Sequence, residues 1–477
     1  MHTVSIYSFK TDLDPYILYT HLAPKKDSIF LDSSKADSTY SRYSIIGLNP
    51  FLTVKVHDGQ LYEKKYPQKD FSLIADKDIF AYMKQIIYAN QIKNTTSFPF
   101  IGGGMGYFSY ELGKELFNIA SKAPRLFTIP ECYFVFYDNI IIIDTQTKEG
   151  LITGLGKLAP GDLSIEQIKK RITPFMNQNI QEPPSSHVSR NIIKGTLTSS
   201  SLKSTFTRQG YMDAIERMRR YMEDGHIYVA NMTHTFYGPC HQSSNTVYHK
   251  LRTINPAPFS AYLSLDDFQL CCSSPERFIQ IKNQHVQTRP IKGTVPRGQT
   301  PELDQSNRLL LENSKKDKAE LLMIVDLERN DLSQVCMPHS VHVPELFKIE
   351  RFSSVYHLVS TVTGKLYPHK TAVDCFEATF PGGSITGAPK IRAMEIIEEL
   401  ENSSREMYTG SIGYFGFDGD ADFNIVIRSI LIKDSMAYLG VGGGITYESD
   451  PASEFQETLD KAKNLFLALD ATVCIDE

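Results

Sequence analysis

The sequence predicts an α+β fold. Short runs rich in β-branched and aromatic residues occur among helical patterns, without the regular strand–helix–strand alternation of a doubly wound fold. The chain has 477 residues, of which 41% are hydrophobic, so it has ample material for a large buried core. The length alone would allow about three domains, but large mixed sheets often exceed the usual domain size, and we expect one or two.

The composition favours the cytoplasm and excludes several partners. A net charge of −5, from 50 basic and 55 acidic residues, does not favour binding to nucleic acid or to an anionic membrane. There is no signal-peptide pattern and no apolar stretch long enough to cross a bilayer. Seven cysteines without a Cys-x-x-Cys pair fit reduced, buried thiols.

Three regions of the chain differ in their pattern of polar and apolar residues. Residues 1–180 alternate β-like runs with turns, residues 181–204 form a polar stretch that predicts a linker or exposed loop, and residues 205–477 begin with a helical pattern. The longest apolar stretch, Cys132 to Ile143, is interrupted by two polar residues, and we therefore expect a strand–turn–strand there.

Lys292 is the residue that points most directly to chemistry. It lies in Pro290–Thr294, which predicts a loop bounded by glycine and proline, sixteen positions after Glu276. A lysine that loses its proton is a nucleophile, and a positioned glutamate can donate a proton to a leaving group. The alternative is a loop lysine that holds an anion together with Arg289 and Arg297.

Two acidic pairs are candidates for a metal site, and they are Asp317 with Glu320 and Glu454 with Glu457. Each pair shares one face of a predicted helix, the first over residues 315–327 and the second after an Asp450 N-cap. Close carboxylates can hold Mg²⁺. An arginine such as Arg329 or Arg308 as partner of the first pair, and a solvated acidic face for the second, are the alternatives. The residues alone leave both interpretations open.

Two glycine-rich segments could approach an anion. Residues 381–390 lead into a helix whose first turn carries Lys390 and Arg392, where the helix dipole disfavours cations, and this mismatch indicates an anion nearby. Residues 440–445 contain four glycines whose backbone N–H groups could approach a carboxylate closely. A turn at the end of a strand is the alternative for the second segment.

From about residue 205 to 470, these motifs resemble the chorismate-binding enzymes, in family order. They are Ser274–Phe278, Pro290–Thr294, Ala319–Glu320 through Val325–Asp331, Pro381–Lys390 and Gly442–Glu457. The preceding region resembles the N-terminal part of the anthranilate and aminodeoxychorismate synthases of this family. The resemblance implies two large packed β-sheets flanked by helices, chorismate as substrate and Mg²⁺ as cofactor.

The resemblance also implies a role for each matching position. Glu320 and Glu457 match the magnesium ligands, with Asp317 and Glu454 in support, although many anthranilate synthases have glutamate where this chain has Asp317. Glu276 matches the general acid/base and His357 the active-site histidine. The clamp on the enolpyruvyl carboxylate and further pocket positions match Tyr408, Arg428, Gly442, Gly443, Gly444, Thr386 and Lys461. A tryptophan pocket like that of the anthranilate synthases would include Ser33, Asn255, Pro256 and Phe259.

Position 292 distinguishes the branches of the family. Anthranilate synthases usually have alanine there, whereas aminodeoxychorismate synthases have lysine, whose amine would attack C2 and direct ammonia to C4. The resemblance therefore implies C4 amination through a Lys292 adduct, for p-aminobenzoate and folate synthesis, with amination at C2 by an anthranilate synthase as the alternative. Val229 stands where water-adding relatives have a lysine base, which disfavours those reactions. Since no Gly-x-Cys-x-Gly motif is present, ammonia should come from a separate glutamine amidotransferase subunit.

Overall fold

The computed structural model describes residues 3–23, 26–34, 41–75, 77–176, 200–351 and 355–473. Within these residues the chain forms twenty-three strands and eleven helices. The strands are β1 (Ser5–Lys10), β2 (Ser28–Asp32), β3 (Tyr43–His57), β4 (Gln60–Lys65), β5 (Ser72–Leu73), β6 (Gly103–Phe108), β7 (Cys132–Asp144), β8 (Glu149–Gly154), β9 (Ser200–Ser204), β10 (Val229–Pro239), β11 (Phe259–Ser264), β12 (Phe268–Ser274), β13 (Arg277–Lys282), β14 (His285–Thr288), β15 (Ile291–Pro296), β16 (His342–Arg351), β17 (Val355–Lys365), β18 (Gly387–Ala388), β19 (Ser411–Gly416), β20 (Ala421–Asn424), β21 (Ser429–Lys433), β22 (Met436–Ile445) and β23 (Ala471–Val473). The helices are α1 (Pro15–Leu22), α2 (Ile79–Ala89), α3 (Tyr110–Leu116), α4 (Gly161–Met176), α5 (Arg208–Glu223), α6 (Ser244–Ile254), α7 (Pro301–Asn313), α8 (Lys315–Ser333), α9 (Ala372–Thr379), α10 (Lys390–Leu400) and α11 (Pro451–Leu469). The predicted α+β class is confirmed.

The strands form two large layers that share the long strands β3 and β7. The first half of β3 pairs with β2, and the second half of β7 pairs with β8. The other halves of the two strands pair with β4 and β6. Because β3 and β7 also pair with each other along most of their length, the hydrogen bonding runs without a break from one layer into the other.

The candidate site lies far from the shared strands, where β15 and β17 end one layer and β22 and β10 end the other. One layer runs β6–β19–β20–β13–β14–β17, with β15 and β16 both paired to β17. The other runs β2–β11–β12–β21–β22–β10. Since β2 pairs with β11 and β6 with β19, strands from residues 1–180 and from residues 205–477 are joined in both layers.

Aromatic rings fill much of the largest hydrophobic core, to which strands of both layers contribute. Five phenylalanines form four tilted ring pairs whose centroids lie 4.5–4.9 Å apart, within the range that aromatic pairs prefer. They are Phe108, Phe134, Phe376, Phe415 and Phe423, and all five are buried.

The predicted strand–turn–strand at Cys132 to Ile143 is wrong, because the segment is the single strand β7. Its two polar residues are buried but fully engaged in hydrogen bonds. The Asp138 carboxylate accepts from the backbone N–H groups of Lys157 and Leu158, at 2.7 and 3.1 Å. The Asn139 amide donates to the Thr153 carbonyl and the Ser164 hydroxyl, both at 2.9 Å. Partners from distant segments thus replace the solvent that a turn would have supplied.

Most helix predictions are confirmed. Helix α5 buries Tyr211, Ile215 and Met218, as its periodicity predicts, and α11 begins after an Asp450 N-cap. Helix α8 continues to Ser333, six residues beyond the predicted end. Of the predicted linker, residues 181–199 lie outside the described residues and residues 200–204 form β9.

Two expectations from composition can be compared with the structure. The six described cysteines are free and buried. Within the residues that the structure describes, none of the helices combines the length and the apolar character needed to cross a membrane.

Candidate active site

Lys292 lies on a strand, not on the predicted loop. It is the second residue of β15 and pairs with Leu358 of β17. The ladder shifts register between Lys292 and Thr294, and Gly293 between them has φ +72, which is the glycine conformation of a β-bulge. A Cβ atom at Gly293 would lie 2.9 Å from Asp317 Cγ, so the bulge also brings β15 against the first turn of α8.

Strand β22 passes directly beside the Lys292 amine. A Cβ atom at Gly444 would lie 2.6 Å from Lys292 Nζ and 3.6 Å from Glu320 Oε2. The alternative of a turn at residues 440–445 is wrong, since the four glycines lie within strand β22. The missing side chain at Gly444 leaves the space that the Lys292 amine occupies.

The second acidic pair reaches the same strand one residue earlier. A Cβ atom at Gly443 would lie 3.3 Å from Glu454 Oε2 and 3.8 Å from Glu457 Oε1. Together with Glu320 and Lys292 beside Gly444, these contacts show that α8, α11 and β15 converge on β22. The structure thus brings together two acidic pairs that are more than 130 residues apart in the sequence.

Lysines, and not the expected arginines, are the partners of the acidic residues. Glu454 forms an ion pair with Lys316 at 3.3 Å and accepts a hydrogen bond from Ser449 at 2.7 Å. Glu457 forms an ion pair with Lys461 at 2.6 Å. Arg329 and Arg308 pair instead with acidic residues of their own helices. The alternative of Arg329 or Arg308 as the partner of Asp317 and Glu320 is therefore wrong.

The charges of this cluster alter the pKa values of its carboxyl groups. Burial raises the pKa of Glu320, against the opposing charges of Lys292 and Lys316. The side chain of Glu457 is 53% exposed, so the charges of Lys461, Lys292 and Lys316 outweigh its partial desolvation and lower its pKa. Glu457 is therefore the more firmly ionised of the two residues that match magnesium ligands.

The donor set of the cluster fits Mg²⁺, which prefers carboxylate oxygens and retains several waters. Glu320 and Glu454 are buried, and the missing side chain at Gly443 leaves space between the acidic residues and β22. Within the described residues, no three of these carboxylates bring oxygens within 4.8 Å of one another. Ligation in this arrangement would therefore be partly through water.

Glu276 lies between β12 and β13 and is buried. Its backbone N–H donates to the Ser274 hydroxyl at 3.2 Å, and its carbonyl accepts from the Ile425 N–H at 3.1 Å, so the turn is held at both ends. Burial raises the pKa of Glu276, against a hydrogen bond with Ser384 and the charge of Lys292. A buried carboxyl with a raised pKa keeps its proton to higher pH, which suits a general acid.

His357 belongs to the same pair of strands as Lys292. It lies on β17 opposite Thr294, and its Nδ1 is 2.8 Å from the Thr294 hydroxyl oxygen. Lys292 and His357 are thus connected through the bulged segment of β15. Arg289, which the alternative interpretation placed with Lys292 on an anion, donates to Glu350 Oε1 at 2.5 Å. The charged groups beside Lys292 include the carboxylates of Glu276 and Glu320.

The residues that match the carboxylate clamp lie beside β22. The Tyr408 ring covers Gly440, where a Cβ atom would lie 2.1 Å from Tyr408 Cγ, and burial raises the pKa of Tyr408 to about 12. Arg428 donates to the backbone carbonyl of Lys461, whose own amine donates to the Gly442 carbonyl at 2.8 Å. Burial lowers the pKa of Arg428, opposed by Tyr408 and Glu457.

In the segment of residues 381–390, the amine of Lys390 is bound by groups of the protein itself. Lys390 donates to Asp331 at 2.5 Å and to the carbonyls of Thr379 and Pro381. The anion that its position in the first helical turn indicated is therefore the Asp331 carboxylate. The Thr386 hydroxyl donates to the Gly382 carbonyl at 2.9 Å and is buried within the same loop.

Sequence reasoning missed three residues of this site, namely Lys316, Ser384 and Ser449. Lys316 lies one helical turn before Glu320, a spacing at which an ion pair could have been expected. The two serines contact Glu276 and Glu454 through folding alone, and no sequence signal distinguishes them from other serines.

A separate cavity of about 340 Å³ lies beside two of the four residues of the expected tryptophan pocket, Ser33 and Phe259. Asn255 instead bonds to Ser273 and Asn464, and neither it nor Pro256 lines the cavity. Arg277 and Asp422, which bond to each other at 2.9 Å, are also on its wall.

Comparison with known proteins shows the family to which the chain belongs. The family model for the chorismate binding enzymes matches residues 26–466, and the chain belongs to this family. It is 36% identical to aminodeoxychorismate synthase component 1 of Klebsiella aerogenes, over 95% of this chain and 96% of that protein. It is 32% identical to anthranilate synthase component 1 of Bacillus caldotenax, over 96% of this chain and 92% of that protein.

The same fold occurs in a solved structure. The crystal structure of anthranilate synthase component I from Streptococcus pneumoniae TIGR4 superposes with a TM-score of 0.77 and 27% identity, covering 96% of this chain and 99% of that chain. The fold expected from the family resemblance is therefore confirmed.

Proposed function

We propose that the protein aminates chorismate at C4 to give 4-amino-4-deoxychorismate. The observation that carries the proposal is the position of Lys292, whose amine lies against β22 among Glu320, Glu276 and Glu457. Relatives named aminodeoxychorismate synthase component 1 over nearly the whole chain support the same reaction.

In the first half of the proposed reaction the neutral Lys292 amine attacks C2. The ring double bond shifts, and the C4 hydroxyl leaves as water with the proton of Glu276. The new C2–N bond leaves a proton on the lysine nitrogen, and its release to the Glu276 carboxylate restores the acid. In the second half, ammonia forms a bond to C4, the ring double bond shifts back and the C2–N bond breaks. Glu276 gives its proton to the departing lysine nitrogen and takes one from the new C4 ammonium. The sum is chorismate plus ammonia giving 4-amino-4-deoxychorismate plus water.

The other residues of the site have positioning roles in the proposal. Glu320 and Glu457, supported by Asp317 and Glu454, would hold Mg²⁺, which would bind the ring carboxylate and favour loss of the C4 hydroxyl. Arg428, Tyr408 and the backbone around Gly443 would bind the second carboxylate of the dianion. His357 would act close to the attacking amine, with Thr294 orienting its ring.

Ammonia would come from a separate glutamine amidotransferase subunit. The relatives are named as component 1, which implies a second component for those proteins. Water as the nucleophile is disfavoured, since Val229, at the start of β10, is a buried apolar residue and carries no base.

The product distinguishes this proposal from its nearest alternative. Anthranilate synthases are also among the relatives, and their amination at C2 with loss of pyruvate would give fluorescent anthranilate. The purified protein is incubated with chorismate, Mg²⁺ and ammonium, and the products are separated and identified by mass. We expect 4-amino-4-deoxychorismate, and anthranilate as the main product would refute the proposal.

The covalent step is tested without an ammonia source. Intact-mass measurement in the presence of chorismate and Mg²⁺ should show an adduct on the wild-type protein that Lys292→Ala abolishes. Lys463→Ala, which removes an exposed lysine of α11, is the matched control and should retain the adduct. A wild-type protein that turns over chorismate but never shows the adduct would favour direct attack by ammonia.

A further inference from the structure

Three potential metal ligands meet where β3 turns into β4, next to the start of β7. His57 is the last residue of β3, Asp58 lies in the tight turn to β4, and Glu131 immediately precedes β7. Since Val56 pairs with Cys132, the next positions along these antiparallel strands, His57 and Glu131, come side by side. One ligand atom from each of the three residues lies within 4.8 Å of the others.

The turn that carries Asp58 is held by its backbone conformation. Asp58 has φ +51 and Gly59 has φ +69, as an Asp-Gly hairpin turn requires. The Asp58 side chain is 73% exposed, but its base is fixed by the two strands that it connects. The arrangement therefore does not depend on a long flexible loop.

Two atoms of this cluster are buried without a partner among the described residues. Glu131 is only 3% exposed, and its Oε2 accepts no hydrogen bond, while its Oε1 accepts from Arg125 at 3.2 Å. The Nδ1 of His57 is likewise buried and unpaired. A buried polar atom left unpaired costs about 1–3 kcal/mol, and such atoms usually have a partner in native proteins. Both unpaired atoms belong to residues of the same three-residue cluster.

The charge around the cluster favours a cation of charge two. Arg125 donates to both oxygens of Glu406, at 2.5 and 3.0 Å, in addition to its contact with Glu131. Its NH1 is 4.0 Å from Asp58. Three carboxylates thus surround a single guanidinium, which leaves two negative charges uncompensated when His57 is neutral.

We propose that His57, Asp58 and Glu131 bind one zinc-type transition-metal dication, with water completing its coordination. Imidazole nitrogen combined with carboxylate oxygens suits Zn²⁺ and related ions, whereas Mg²⁺ prefers an all-oxygen set. Arg125 would orient the Glu131 carboxylate from the side away from the metal.

The ion would connect the β3–β4 hairpin to the start of β7. Through Arg125 the connection continues to Glu406, whose carbonyl also accepts from the N–H of Tyr110 at 2.9 Å. Glu406 lies two residues before Tyr408, which covers Gly440 beside the candidate active site. The ion would therefore stabilise the segment that positions Tyr408, while lying outside the acidic cluster of α8 and α11.

The test measures metal binding and does not depend on turnover. The full-length protein, stripped with a chelator and kept in excess Mg²⁺, is titrated with Zn²⁺ by calorimetry and with Co²⁺ by absorption spectroscopy. We expect one Zn²⁺ per chain, a visible Co²⁺ absorption band and a rise in Tm with Zn²⁺. His57→Ala and Glu131→Gln should each weaken Zn²⁺ binding by about 100-fold or more.

The control and a second variant guard against indirect effects. His285→Ala removes an exposed histidine on β14 and should bind Zn²⁺ as the wild type does. Asp58→Asn changes an exposed turn residue, which should leave the fold intact but weaken binding by about 10-fold. If the wild type does not bind Zn²⁺, or if His57→Ala and Asp58→Asn bind it with unchanged affinity, the site is refuted.

Discussion

Substitution of Gly444 by alanine should separate activity from stability. The added Cβ would lie 2.6 Å from Lys292 Nζ, whereas ordinary contacts of this kind begin at about 3.4 Å. The lysine amine must therefore move by about 1 Å, while Glu320 Oε2, at 3.6 Å, already lies at an ordinary distance. Because the displaced atom is the end of a flexible side chain, the backbone has no need to shift.

The expected result is a large loss of activity in a stable protein. A displacement of about 1 Å of a reacting group can reduce the rate about 100-fold, and we expect kcat for chorismate amination to fall by that factor. The free energy of unfolding should change by less than about 1 kcal/mol, since alanine restricts the unfolded chain more than glycine does.

The assay combines ammonium-dependent turnover of chorismate with urea unfolding of the same preparation. Gly443→Ala is the matched control, since its added Cβ would meet Glu454 Oε2 at 3.3 Å and does not contact Lys292. That variant should require more Mg²⁺ but still form the Lys292 adduct. If Gly444→Ala keeps the wild-type kcat, the position of the Lys292 amine does not matter and the reasoning fails.

Four further predictions concern single side chains. Glu276→Gln should lower kcat by about 100-fold or more; in the wild type kcat/KM should fall as pH rises through the raised pKa of Glu276, and that fall should be absent from the variant. Glu457→Gln should raise the Mg²⁺ concentration for half-maximal activity by at least about 10-fold, and an unchanged Mg²⁺ titration would exclude Glu457 as a ligand. Arg405→Ala should reduce the free energy of unfolding by about 3–5 kcal/mol, because it leaves the buried Glu401 carboxylate without its cation. Burial and neighbouring Asp331 raise the pKa of Glu328 to about 7, so the folded state holds a proton that the unfolded state releases near pH 4.5; the resulting loss of stability between about pH 5 and 7, followed by urea unfolding, should be smaller in Glu328→Gln, and an equal loss would contradict the assignment.

Several features of this chain could be predicted from its sequence because they are local. The Asp450 N-cap and the apolar stripe of α5 depend on residues within one or two helical turns, and both are confirmed. The types of residue in the motifs also indicated candidate chemistry, since a lysine amine is a potential nucleophile and a cluster of glutamates a potential cation site. Only the ordered set of motifs was specific enough to predict the family, which the comparisons confirm.

The tertiary structure decided which residues face one another. A sequence does not show that Lys316 pairs with Glu454, because the two residues lie 138 positions apart in the chain. Nor does it show that Asp138 lies within a strand, since its hydrogen-bond donors come from a segment about twenty residues away.

At Lys292, the sequence and the tertiary structure each determine a different part of the site. The sequence by itself determined that a lysine stands in the motif, next to a glycine that permits a bulge. Only folding decided that β22, from the other layer, brings Gly443 and Gly444 against this amine and the acidic residues. The physical reason is that the packing of the two layers brings together segments far apart in the chain, and the free energy of each contact depends on both partners.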